Sequence, residues 1–205
     1  MYRLLFSLLL CSTGLFAQKN VQRILLSEDI DLVQVNTANC FKVLLQTTEE
    51  QEINAIANIE GEYVDNLNIE AVSKGSTIFI NAGFSPNFHN PNDKLSAHKV
   101  VSITLSVSVP KYRNVAVYGT SSRLLVNGSY EGLNVSLSDG VCELNNVLGD
   151  IKVKTQSGNI KVWSNAANIS AVAKYGHVGS NEIPTGNSTY DLQTVTGNIE
   201  LIKTE

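Results

Sequence analysis

The groups in this sequence whose types could do chemistry are scattered carboxylates, one tryptophan among amides, two tyrosines, two thiols beyond residue 20 and three imidazoles. Cleaving a glycosidic bond needs two carboxyl groups facing one another about 5–10 Å apart. The second half of the chain offers Asp139, Glu143, Asp150, Glu182, Asp191 and Glu200, and only Asp139 with Glu143 form a local pair, split across a turn. No Ser/His/Asp arrangement, H-E-x-x-H or nucleotide-binding loop is present. The residues therefore point away from an enzyme.

Trp163 is the single tryptophan and falls in a corner column with Asn127, Asn145 and Asn181. An aromatic face beside amides can stack on a sugar ring and bond its hydroxyls, although an indole also serves simply to cover a strand end. Tyr118 and Tyr175 fall on outward or turn positions and join Trp163 as candidate ligand-binding residues, tyrosine being equally an ordinary solvent-face residue of strands. His89, His98 and His177 are dispersed, and Cys40 and Cys142 lack metal-site spacing, so neither a metal nor a cofactor is expected. Cys142 reads as a small buried hydrophobe, with a Cys40–Cys142 disulfide as the other reading.

The elements that would position these groups are strands. From Val115 the segments VAVYGTSSRLLV, LNVSLSDGVCEL, IKVKTQSGNIKV, ISAVAKYGHVGS and YDLQTVTGNIEL begin at Val115, Leu133, Ile151, Ile169 and Tyr190, in steps of 18, 18, 18 and 21 residues. These are the first to fifth units below. Each is an alternating strand, a tight turn and a second alternating strand. The extra residues of the last step lie near Glu182 to Asn187. The eighth position of each unit is Ser122, Gly140, Gly158, Gly176 or Gly197, where a turn is expected to need positive φ. Inward positions are apolar, and outward ones include a Glu143–Lys161 pair on neighbouring units. A unit this short cannot bury its own apolar face and must stack on the next. The expected fold is all-β: a parallel β-solenoid with rungs of about 18 residues over 111–205, preceded by a less regular β region over 18–110. That first region reads as the strands IDLVQV, FKVLLQ, INAIANI, LNIEAV, STIFINA and VVSITLSVSVP, with a polar loop between Gly83 and His98.

The start, MYRLLFSLLLCSTGLFAQ, carries Arg3, then an apolar run to Phe16 and a small residue, Ala17. That is the pattern of a secretory signal peptide over 1–17, with lipidation at Cys11 as a rival processing site. The run is shorter than the roughly 20 residues of a membrane-crossing helix, and no later stretch is longer, so no transmembrane helix is expected. Over 205 residues, 15 Lys+Arg against 19 Asp+Glu give a net charge of −4. A mildly acidic chain without a basic stripe excludes nucleic acid as a partner. The expected partner is a surface glycan or protein.

The strand LNIEAVSKGSTIFINA, the strand VVSITLSVSVP followed by NVAVYGTSS, and the turns TQSGNI and TVTGNI resemble the head GIN domain family of bacterial autotransporter adhesins, over roughly residues 21–203. The resemblance implies a right-handed β-helix, a place outside the cytoplasm (periplasm, outer surface or beyond) and an adhesive role without a defined ligand or catalytic residue.

Overall fold

The computed structural model describes residues 18–26, 29–61, 64–85 and 101–205. The expected signal peptide over 1–17 and the imidazoles His89 and His98 lie outside the described residues. Among those described there is no α-helix, only one 3-10 turn at Val64–Asn66, and all else regular is strand. No described helix is long and apolar enough to cross a membrane.

Strict alternation of apolar and polar residues makes the strands, because successive side chains point to opposite faces. The burial of β2 (Leu32–Asn36), β3 (Lys42–Thr48) and β4 (Glu52–Gly61) alternates residue by residue, with Val33, Val35, Val43, Leu45, Ile53, Ala55, Ala57 and Ile59 inside. β5 (Leu67–Lys74) and β6 (Thr77–Phe84) form an antiparallel hairpin about Gly75, whose φ of +59° suits a residue without a Cβ. β7 (Val101–Pro110) and β8 (Asn114–Gly119) lead into the two longest strands, β9 (Arg123–Leu137) and β10 (Cys142–Thr155). β11 (Ile160–Ser164), β12 (Asn168–Ala173), β13 (Thr189–Thr194) and β14 (Ile199–Lys203) complete the chain, and β1 (Gln18–Leu26) begins it.

β9 and β10 each bend and so serve two walls. β9 turns at Gly128, φ +106°, where a Cβ would stand 2.1 Å from Thr47 Oγ1, and β10 turns between Asn146, φ 46°, and Gly149, φ +127°. Before the bends, β3, β9, β10, β11 and β14 run parallel side by side. After them, β2, β8, β9, β10, β13 and β12 do the same. The inward side chains of both walls belong to one core, including Leu124, Cys142, Ile160 and Ile199 from the first and Val115, Leu133, Ile151 and Leu192 from the second.

The expected parallel right-handed β-helix is not what forms. All fourteen described strands belong to one sheet of mixed orientation, curled into a nearly closed, barrel-like shape. β1 pairs antiparallel with β4, β4 with β7, and β5 with β6. The curl brings β1 back to β5, where Lys19 Nζ donates to Leu67 O at 2.7 Å. The units are also not stacked in sequence order. Ile151 pairs with Tyr190, and Tyr190 with Ile169, so the fifth unit lies between the third and the fourth. The turn-side strands agree, since Ile160 pairs with Ile199 and Ile199 bridges to Val178. β2 and β3 are likewise inserted between β6 and β7 on one side and β8 and β9 on the other. A solenoid winds each rung onto the previous one, and this chain does so only from the first unit to the third.

Candidate functional site

On the first wall, the outward side chains of four parallel strands line a groove of about 470 Å³. β3 contributes Leu44 and Gln46, β9 contributes Leu125 and Asn127, β10 contributes Glu143 and Asn145, and β11 contributes Trp163. Register makes this convergence. Leu44 pairs with Leu125 and Leu125 with Glu143, giving one transverse row; Asn127 pairs with Asn145 and Asn145 with Trp163, giving the next. The first row is half-buried and begins with two leucines, while the amides of the second are exposed. The groove thus has a partly apolar floor, a polar rim and an aromatic end.

Tyr130, buried under the bend of β9, donates its hydroxyl to the Asn127 carbonyl at 2.9 Å and so fixes the strand just where it enters the groove. Burial pushes that phenol well above its ordinary pKa. Tyr190 makes the equivalent bond to the Val147 carbonyl in the bend of β10 and is shifted up by the same cause.

Glu143 is the one carboxylate among the lining residues. Its side chain is 14% exposed and accepts from Arg123 Nη2 at 2.7 Å, while Lys161 turns to Glu200 at 3.0 Å. The expected Glu143–Lys161 pair is replaced by these two, although the residues do neighbour one another in register. Asp139 sits in the turn ahead of Glu143 and accepts from Ser157 Oγ at 3.4 Å.

The sequence reading placed Trp163 with Asn127 and Asn145, and the structure brings those three together. Asn181 does not join them: the position beside Trp163 is taken by Ile202, and Asn181 lies in the segment after β12, its Oδ1 accepting from Ile183 N at 3.0 Å. Tyr118 stands on β8 between Asn36 and Ser136, on the second wall and 46% exposed. Tyr175 follows β12, is 72% exposed and carries Lys174 Nζ 5.0 Å from its ring. Neither tyrosine lines the groove. Leu44 and Gln46 were missed. The alternation of FKVLLQ puts both outward, but nothing local tells that β3 lies against β9.

The turn glycines have another cause than the one expected. None of Gly140, Gly158, Gly176 and Gly197 has a positive φ. They form a column in which each lies against the next backbone: a Cβ on Gly158 would stand 1.8 Å from Gly140 O, one on Gly197 2.2 Å from Gly158 O, and one on Gly176 1.8 Å from Gly197 O. Ser122 opens the column and donates to Thr37 O at 2.6 Å. Cys40 and Cys142 are both free and buried, and desolvation pushes each thiol up to about 12. Cys142 pairs with Leu124 on one side and Ile160 on the other.

No known protein family and no curated protein sequence matches the chain. Among solved structures, the chain is similar to a presumed cell adhesion protein from Clostridium sporogenes, with a TM-score of 0.66 and 13% identity over 92% of this chain and 100% of that one. Presumed adhesins from Bacteroides fragilis and Parabacteroides merdae align with TM-scores of 0.35 and 0.38 at 14% and 10% identity, covering 90% and 94% of this chain and 97% and 98% of theirs. What the chain shares with the Clostridium protein, at that identity, is its fold.

Proposed function

We propose that this is a non-enzymatic, exported binding domain, a cell-surface adhesin whose groove on the first wall engages a glycan of a cell or matrix surface. The observation that carries the reading is the groove itself, where a half-buried indole closes a row of exposed amides above an apolar floor. Sites for small ligands are concave and largely apolar, with a few placed polar groups, and an indole face suits the apolar face of a sugar ring. Support also comes from the leader-like start, from the resemblance of the turn motifs to head GIN domains, and from a fold shared with a presumed cell adhesion protein. The single lining carboxylate, already paired with Arg123, lacks the partner that general acid and base catalysis of glycoside cleavage requires.

A second reading, an envelope component that joins other proteins, is favoured by β12. Among the described residues it pairs only with β13 and leaves an edge with Val172 56% exposed, the kind of edge that accepts a strand from a partner. Purified protein on an array of glycans and matrix proteins, with Trp163→Ala alongside, tests the first reading. Saturable binding to a glycan, lost in the variant, supports it; silence across the glycans, with capture by matrix or envelope proteins that Trp163→Ala leaves intact, moves the function to the second.

A further inference from the structure

The transverse row that holds Trp163 does not stop at the edge of the groove. Leu45 pairs with Val126, which sets Gln46 beside Asn127. Gln46 then pairs with Ser108 of β7, Ser108 with Asn54 of β4, and Asn54 with Ile24 of β1. The five successive members between Trp163 and Ile24, namely Asn145, Asn127, Gln46, Ser108 and Asn54, are amides or hydroxyls, one on each strand. Adjacent strands lie about 4.8 Å apart, so the polar groups repeat at that spacing, and the groove from Gln46 to Trp163 spans roughly 14 Å.

A ladder of amides that served only to hold strands together would bond along its length. Here Gln46 Nε2 donates to Ser108 Oγ at 3.0 Å, but among the described residues no hydrogen bond joins Asn127 to Asn145, and the Asn127 amide makes none at all. Asn145 Oδ1 takes one long bond, from Asn146 Nδ2 at 3.4 Å, so the Asn127 side chain and the Asn145 Nδ2 donors are left for something outside the protein. Of the cations nearby, Arg123 is taken by Glu143 and Lys161 by Glu200, and among the described residues that line the groove the one charged side chain is Glu143, so the lining itself offers no positive charge to an acidic ligand.

Resting on the glycan-binding function proposed above, we infer that the ligand is a neutral, extended, 1,4-linked oligosaccharide laid across the strands, one sugar to a strand, with one ring stacked on Trp163. An extended 1,4-linked chain advances by close to one strand spacing per sugar. Each unit therefore meets an equivalent amide, and Leu44 and Leu125, in the adjoining row of the same face, flank the chain with apolar surface.

Trp163 is the only tryptophan, so tryptophan fluorescence, excited selectively over the seven tyrosines, reports on this groove. The intact protein would be titrated with cello-, chito- and manno-oligosaccharides of one to six units, and with trigalacturonate as the acidic probe. The affinity for one neutral series is expected to rise at least tenfold from one unit to four and then level. Asn127→Ala and Asn145→Ala should each remove about fivefold of that gain, the worth of one hydrogen bond, with unchanged response to the single sugar. Asn127→Ser and Asn145→Ser, with melting curves of all four variants, separate loss of a ligand bond from loss of fold. Equal affinity at every length would overturn the transverse placement while leaving a sugar-binding groove in place. Tighter, salt-sensitive binding of trigalacturonate would overturn the neutral ligand. Fluorescence unmoved by any sugar, together with a silent glycan array, would remove the binding function and this inference with it.

Discussion

Replacing Gly158 by alanine separates two accounts of the turn glycines. If these positions needed backbone handedness, Gly158 would carry a positive φ, and it does not. An alanine there costs nothing in conformation and would, by stiffening the unfolded chain, stabilise by about 0.4–1 kcal/mol. Contact reverses the sign. The new Cβ would stand 1.8 Å from Gly140 O and 2.8 Å from Gly140 C, both backbone atoms that cannot swing away. Restoring an ordinary separation requires the third unit's turn to move off the second's by roughly 1.4 Å, and hydrogen bonds at about 2.9 Å do not survive that. Three backbone donors bond across this interface: Gln156 N and Ser157 N to Ser138 O, both at 2.9 Å, with Gln156 N also reaching Leu137 O at 3.3 Å, and Cys142 N to Asn159 O at 3.0 Å. At about 1 kcal/mol each they sum to roughly 3 kcal/mol, or about 2–3 kcal/mol after the unfolded-state gain. Urea unfolding of Gly158→Ala should show an unchanged slope and a midpoint lowered by about 1 M. Gly75→Ala is the contrasting variant, since that residue faces open space at φ +59°. It should lose only about 1 kcal/mol, the cost of the left-handed conformation. A Gly158→Ala protein as stable as its parent would refute the stacked-backbone account.

Ser122→Ala removes the hydroxyl that donates to Thr37 O at 2.6 Å, inside the protein, and should cost about 1–2 kcal/mol, read as a lower melting temperature. The thiols of Cys40 and Cys142 keep their protons in the fold to about 12, against an ordinary 9.0 once unfolded. Above pH 9 these thiols bind fewer protons in the unfolded chain than in the fold, so their contribution to stability is constant below that point and falls as pH rises toward 12. Melting curves from pH 7 to 11 test this, and Cys142→Ala should make the alkaline fall shallower. At neutral pH both thiols should react with a disulfide reagent only as fast as the protein unfolds; rapid labelling of native protein would contradict their burial. Tyr130→Phe should cost about 1 kcal/mol, because it removes the hydroxyl's bond to the Asn127 carbonyl and leaves that carbonyl with one partner fewer.

Much of the local pairing could be read in the sequence, and the order of the units could not. The column Leu124, Cys142, Ile160 follows from apolar residues recurring at the unit spacing, and the structure pairs them in that register. Trp163 beside Asn145 and Asn127 follows from the same alignment. Asn181 fails because the alignment assumed that the fourth unit follows the third in space. The fifth unit takes that seat, and the alternation of IELIK is as suited to the place beside IKVWS as anything in the fourth unit. A sign of the reversal was present: the longer last step is the connection that carries the chain back. It packs as it goes, with Pro184 O accepting from Ala167 N at 2.8 Å and Ile183 buried. The half of the groove built from β3 was illegible for a plainer reason. Leu44 and Leu125 are far apart in sequence, and both read simply as outward residues until their strands are paired.

The insertion of the fifth unit bears on when this chain can become folded. A protein whose repeats stack in order can harden behind the ribosome, each unit seating on the one before it. Here the fourth unit is synthesised before the strands it rests on, and β2 and β3 wait in the same way for β6 to β9. Nearly all pairing is between distant segments, which slows folding, and the last seat stays empty until residues 189–203 have emerged. Such a chain remains open until those residues are free. A stop codon ahead of Thr189 would leave not a shorter stack but a fourth unit with nothing to stand on.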